Sequence, residues 1–193
     1  VGSIVVATGF DLFDAASLPE YGYDQLKNVI SGIEFERLVS ASGPTGGHIE
    51  INGKEPEKVV FIQCVGSRDR DGAGNEHCSR VCCMYTAKQA HLVREKMPDS
   101  DVTIYYTDVR AFGKGFEEFY VRVQEEGVHY RRRQLSDEIE VIKDNGKLVV
   151  KAAGQSDIEA DLVVLASGIV PREGSGEMAN LLRISRSADG FMM

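Results

Sequence analysis

Two stretches of the chain repeat one pattern: Gly2-Ser3-Ile4-Val5-Val6-Ala7-Thr8-Gly9 and Asp161-Leu162-Val163-Val164-Leu165-Ala166-Ser167-Gly168 each run apolar without interruption and close on a small residue, a hydroxyl residue and glycine. A strand that is apolar at every position, and not at alternate ones, needs cover on both faces, which is the condition of a strand inside a parallel sheet. Both stretches therefore predict such strands, the first already under way at the start of the chain, with the glycine letting the backbone leave sharply. Val59-Val60-Phe61-Ile62 is a third run of the same kind.

Between these runs the pattern alternates. A helical period covers about 82 to 96 and stops at Met97-Pro98-Asp99, and Val102-Thr103-Ile104-Tyr105-Tyr106 reads as the next strand. Gly115 to Glu126 places Phe116, Phe119, Tyr120 and Val123 on one helix face, with Gly127 as a C-cap before a short strand at Val128-His129-Tyr130. Glu138–Lys143 and Lys147–Ala152 flank Asp144-Asn145-Gly146, whose Asn-Gly is a hairpin signal. The order is βαβαβ, then a hairpin, then the returning strand at 161–166. The expected class is α/β, a Rossmann-like parallel sheet with helices on both faces plus a β-hairpin. Residues 10–58 are less regular. Ile33 to Ala41 predicts a short helix with Phe35 and Leu38 inward; Gly43-Pro44-Thr45-Gly46-Gly47 reads as a plain turn, because it leads to a hairpin at His48–Gly53 and not to a helix N-terminus that could receive phosphate.

The chain has four cysteines, Cys64, Cys78, Cys82 and Cys83, and all of them fall in the segment that joins the strand at 59–63 to the helix at 82–96. In an open α/β sheet this is where ligands gather. Three readings stand open. Adjacent Cys82 and Cys83 suit a single tetrahedral zinc ion poorly, because both would crowd one metal. An iron–sulfur cubane offers a separate iron to each thiolate, though the spacing matches neither common ferredoxin run. A redox disulfide or inert buried thiols form the third reading. A cluster would order the loop from about Ser67 to Ser79, which is otherwise expected to be mobile.

Composition narrows the rest. With 193 residues, 42% of them hydrophobic, the chain can bury a core as one domain, or as one domain with pieces of another. No apolar run reaches the ~18 residues of a membrane span and no leader pattern opens the chain, so a cytoplasmic home without membrane insertion is expected. The formal charge of −8 argues against nucleic acid as a partner. Asp108 and Arg110 follow a strand where a ribose-binding acid would stand, Arg131-Arg132-Arg133 is a candidate docking patch for an acidic carrier, and His77 adjoins Cys78; each is more simply a surface or loop contact.

The alternation resembles the flavoproteins with two dinucleotide-binding domains, typified by thioredoxin reductase, in which a nicotinamide-binding domain is inserted into an FAD domain and an Ala-Thr-Gly strand marks each crossing. The segments Phe61–Arg68, Cys78–Ala90 and Arg110–Gly115 are similar, more narrowly, to the A subunits of heterodisulfide reductase; the similarity runs over the whole chain and the cysteine segment is its most specific part. That resemblance implies an FAD and iron–sulfur oxidoreductase that moves electrons between ferredoxin-type carriers and a disulfide-reducing partner, in company with other subunits. It implies a [4Fe-4S] cluster on Cys64, Cys78, Cys82 and Cys83, with Thr8 and Gly9 at the rim of the FAD site, and a role in relaying electrons between flavin and cluster. The implied division is 1–54 for the exit strand of the FAD domain and a connecting segment, 55–166 for the inserted domain, and 167–193 for the return.

Two departures qualify it. The glycine-rich FAD fingerprint would lie before Val1 and a later Gly-Asp segment beyond Met193, so the chain reads as an internal segment expected neither to retain FAD nor to be active alone. No G-x-G-x-x-G follows the strand at 59–63, so tight nicotinamide binding is not expected. A nicotinamide-dependent disulfide reductase and a zinc-stabilised interaction domain are the alternatives.

Overall fold

A computed structural model describes every residue except Val1, Arg70, Asp71 and Ala73. Its elements begin with β1 (Phe10–Leu12), two 3-10 turns (Ala15–Ser17 and Pro19–Tyr21), β2 (Val29–Ser31), α1 (Gly32–Val39), β3 (Lys58–Val65), α2 (Cys82–Lys96) and β4 (Asp101–Tyr106). They continue with α3 (Phe116–Glu125), β5 (His129–Arg132), β6 (Ile139–Asp144), β7 (Lys147–Ala152), β8 (Ile158–Ala160), β9 (Leu162–Ser167), β10 (Ile169–Pro171) and α4 (Ser175–Leu182).

The apolar runs form the middle of a parallel sheet of order β2-β9-β3-β4-β5. Every residue of β9 and every residue of β3 after Lys58 is buried, as continuous apolar strands require. On one face Val59, Phe61, Ile104 and Val164 pack against Phe35 of α1, Ala87, Ala90 and Val93 of α2, and Val123 of α3. The other face departs from the expectation of helices. Val60, Ile62, Tyr105, Val163 and Leu165 meet Tyr21 and an antiparallel sheet of order β6-β7-β8. The reason lies in alternation: Ile139, Val141, Leu148, Val150 and Ala152 are buried while residues between them face outward, so the hairpin has one apolar face and uses it as the cover. Among the described residues no helix is long and apolar enough to cross a membrane.

Two expected elements are not formed. Residues 2–9 make no strand, and Ile4 and Val5 are 65% and 88% exposed; a run apolar at every position needs strands beside it and cover on both faces, and neither is supplied among the described residues. Strand structure starts later, where β1 pairs antiparallel with β10. The hairpin at His48–Gly53 shrinks to a single bridge between Ile51 and Lys54. The Gly43–Gly47 loop is a turn, closed by Gly43 N–H to the Ser40 carbonyl at 2.7 Å and Gly46 N–H to the Gly43 carbonyl at 3.2 Å.

The loop between β3 and α2 has structure of its own. Arg68 N–H donates to the His77 carbonyl, Asp69 N–H to Asn75 and Asn75 N–H to Gly66, each at 3.0 Å. Its described residues are tied together by these backbone hydrogen bonds; Arg70, Asp71 and Ala73, on which the expectation of a mobile loop also falls, lie outside the described residues.

Candidate metal centre

The site begins with an irregularity in β3. Pairing with β9 slips between Ile62 and Val65, and within that slip Cys64 takes a φ of +65°. A side chain other than glycine in this region costs of order 1–3 kcal/mol and persists only where the surroundings hold it. A bulge of this kind re-aims a side chain at the end of a strand. Here the re-aimed side chain is a buried thiol.

Helix α2 brings two more. Cys82 and Cys83 are its first residues, both buried, and Val81 before them offers no side-chain cap. The first N–H groups of the helix thus face the site with their partial positive charge uncompensated by a capping oxygen, which favours thiolate nearby. The Cys82 thiol is within hydrogen-bonding reach of both Cys64 and Cys83. Its own pKa is driven up by those bonds and then by burial, so Cys82 keeps the proton. The bond from Cys82 lowers Cys64 despite burial, and it lowers Cys83 to about 7, again against burial and with help from the Arg110 backbone. The bias toward thiolate thus falls on Cys64 and Cys83, the two neighbours of Cys82.

Cys78 sits half-buried in the loop, its sulfur accepting the Arg80 N–H at 3.4 Å. It lines the same cleft as Cys64, a space of about 1160 Å³ bordered also by Arg68, Arg110 and Arg133. Among the described residues no three His, Cys, Asp or Glu side chains converge as ligands of one ion. The four thiols come from two elements and a loop, and they are the residues of this chain that could hold a metal group. The buried Gln63 side-chain amide and the buried Ser167 hydroxyl at the end of β9 have no hydrogen-bond partner among the described residues, and both can donate.

The remaining candidates fall elsewhere. Asp108 is engaged by Arg68 through a two-pronged contact at 2.7 and 3.0 Å and by Arg110 at 3.4 Å. Burial raises its pKa, but the Arg68 bonds and charge, with Arg110, prevail and hold the carboxyl below its ordinary value. That carboxylate serves an ion pair beside the cysteines, and its backbone carbonyl accepts the Cys83 thiol at 3.6 Å. The three consecutive arginines separate: Arg131 bonds to Ser156, Arg132 to the Thr107 carbonyl, and Arg133 is buried, so the triplet is not one exposed patch. His77 lies against the Ile169 carbonyl at 3.3 Å and the Phe191 ring. Thr8 and Gly9 stand apart from the cleft, with the Thr8 hydroxyl accepting from Ser175 at the start of α4 at 3.3 Å. Reading the sequence missed Arg68, Ser79 and Arg133, because arginine and serine in a polar loop or a charge run carry no signal of burial.

No family model matches the chain. It is 46% identical over 202 residues to the A subunit of the H(2):CoB-CoM heterodisulfide,ferredoxin reductase of Methanothermobacter thermautotrophicus, with 100% of this chain and 30% of that protein covered. An iron-sulfur A subunit of the CoB–CoM heterodisulfide reductase of Methanopyrus kandleri, the second of that name, is 47% identical over 201 residues, again across 100% of this chain and 30% of the relative. The chain belongs to the family of heterodisulfide reductase A subunits. It spans about a third of the length of these relatives. Among solved structures, the Cu(II) complex of the HOCl-induced flavoprotein disulfide reductase RclA from Escherichia coli superposes with a TM-score of 0.51 at 14% identity, over 97% of this chain and 34% of that one. At that identity the likeness is one of fold, a Rossmann-like parallel sheet flanked by helices.

Proposed function

We propose that this chain is the electron-transfer module of an FAD and iron–sulfur oxidoreductase of the heterodisulfide reductase family, with Cys64, Cys78, Cys82 and Cys83 as the ligands of a [4Fe-4S] cluster. The observation that carries this reading is the placement of Cys64, at the bulge of β3, beside Cys82 in the first turn of α2, with Cys83 next to it and Cys78 lining the same cleft as Cys64. When bound, such a cluster supplies a one-electron carrier for exchange with the flavin. The residues of this chain do the rest. Cys64 and Cys83 are biased toward thiolate, Cys82 has one proton to give up on ligation, the α2 N-terminus offsets the anionic charge, and burial of Cys82 at 1% exposure keeps water out.

Within this reading Thr8 and Gly9 belong to the rim of the FAD site in the intact protein, residues 55–166 form the inserted domain between 1–54 and 167–193, and the working location is the cytoplasm. The partners are other subunits of the complex and ferredoxin-type carriers; the name of the Methanothermobacter relative, which belongs to a heterodisulfide,ferredoxin reductase, supports that proposal. A catalytic thiol pair is disfavoured because Cys82 is too buried to meet a substrate disulfide.

Anaerobic reconstitution with iron and sulfide tests the reading. The expected result is about four irons per chain and a paramagnetic cluster signal after reduction. One zinc per chain with no such signal would establish the zinc alternative instead.

A further inference from the structure

Arg133 is 5% exposed, yet it carries a full charge. Its guanidinium donates to the backbone carbonyls of Gln134 and Gln63, both at 3.3 Å; among the described residues it meets no carboxylate, and its Nε has no partner. Arginine does not lose its proton in proteins, so burial cannot be relieved by neutralisation. An uncompensated buried charge is costly, and native structures supply a counter-charge. Carboxylates such as Asp137 and Glu138 line the same cleft without pairing with Arg133, and the Cys64 sulfur is an anionic group on which its charge acts. The carbonyl that Arg133 holds is that of Gln63, inside the slip of β3 and directly before Cys64, and Arg133 and Cys64 line the same cleft.

We propose that Arg133 is a positioning residue of the thiolate site: it pins the bulged Gln63–Cys64 peptide and places a fixed positive charge under it, so that the reduction potential of a cluster on these cysteines depends on Arg133. The inference rests on the cluster reading above. Adding an electron makes the site more negative, and a buried cation at short range stabilises that state more than the oxidised one. Arg68 also acts on Cys64 and Arg110 on Cys83, but both arginines are tied to the Asp108 carboxylate. Arg133 is the cation of the three with no carboxylate in ion-pair contact among the described residues.

The experiment uses the intact protein, purified anaerobically, as wild type, Arg133→Gln, Arg133→Met and Arg133→Lys. Iron and sulfide are counted, folding is checked by circular dichroism, and the cluster midpoint potential is measured by redox titration followed by electron paramagnetic resonance. The expected result is a shift to more negative potential in the Gln and Met variants at unchanged iron content, with the Lys variant close to wild type. Loss of iron from the uncharged variants but not from the Lys variant reads the same need for charge. An unchanged potential in a fully loaded Gln or Met variant overturns the proposal, as does a Lys variant shifted as far as they are. A wild-type protein with no iron overturns the cluster reading, and this inference with it.

Discussion

Gly66 is fixed by two constraints at once: its φ is +68°, and a Cβ built on it would fall inside the Phe13 ring. Gly66→Ala should therefore cost about 1–3 kcal/mol, from backbone strain and the forced shift of Phe13, read as a lower urea midpoint at unchanged slope. Tyr130 makes the opposite kind of prediction. Its ring stacks edge-on with Tyr106 and Tyr120, but its buried hydroxyl has no partner among the described residues. Burial pushes its pKa above the ordinary value of 10.0. A folded-state pKa raised above the unfolded one gives a contribution that is whole below pH 10 and is lost as pH climbs beyond it. Tyr130→Phe should leave neutral-pH stability within about 0.5 kcal/mol of wild type and flatten the alkaline loss, which melts at a series of pH values will show. At this scale the sequence displays the cysteines, because four thiols in one short segment stand out. It hides Arg133, because a run of three arginines looks alike at each position until one of them is carried under a strand.

The helix from Cys82 to Lys96 is legible to the residue, since a proline follows it and apolar positions recur along one face. The first apolar run is not, because continuous hydrophobicity says that a strand must be covered without saying by what. Ser79 shows how the cysteine loop is tied to the returning strand. Its hydroxyl accepts the Ile169 N–H at 2.8 Å and pairs with the buried Ser67 hydroxyl at 2.9 Å, and the chain beside it can pass only because residue 168 has no side chain to meet Ser67. Ser79→Ala leaves that N–H without its acceptor and should cost about 1–3 kcal/mol. Faster hydrogen exchange at the Ile169 amide, with the β4 amides unchanged, is the signature to look for. No part of this link has a sequence pattern, since Ser79 and Ile169 meet only after the sheet has formed.

Both large cores are built without cysteine: one joins the sheet to α1, α2 and α3, the other joins it to the antiparallel cover, and Cys82 and Cys83 pack only in a small third cluster with Ala166. Removing metal should therefore leave a cooperative melt and an unchanged far-ultraviolet spectrum, with altered hydrogen exchange confined to about 64–83. A chain that unfolds on treatment with chelator would contradict this separation of scaffold from site. The α/β class follows from the runs at 59–62 and 161–166, while the layer on the second face required knowing that a hairpin with alternating apolar residues would serve as its lid. One further consequence follows from the place of β9 between β2 and β3, where Val163 lies beside both Val29 and Val60. A ribosome delivers Val29 and Val60 long before Val163, so the sheet waits with an open groove down its middle until the segment that carries β4 to β8 has been made. Closure needs contacts distant in sequence, Val60 with Val163, which makes folding slow and leaves bare strand edges exposed on the way.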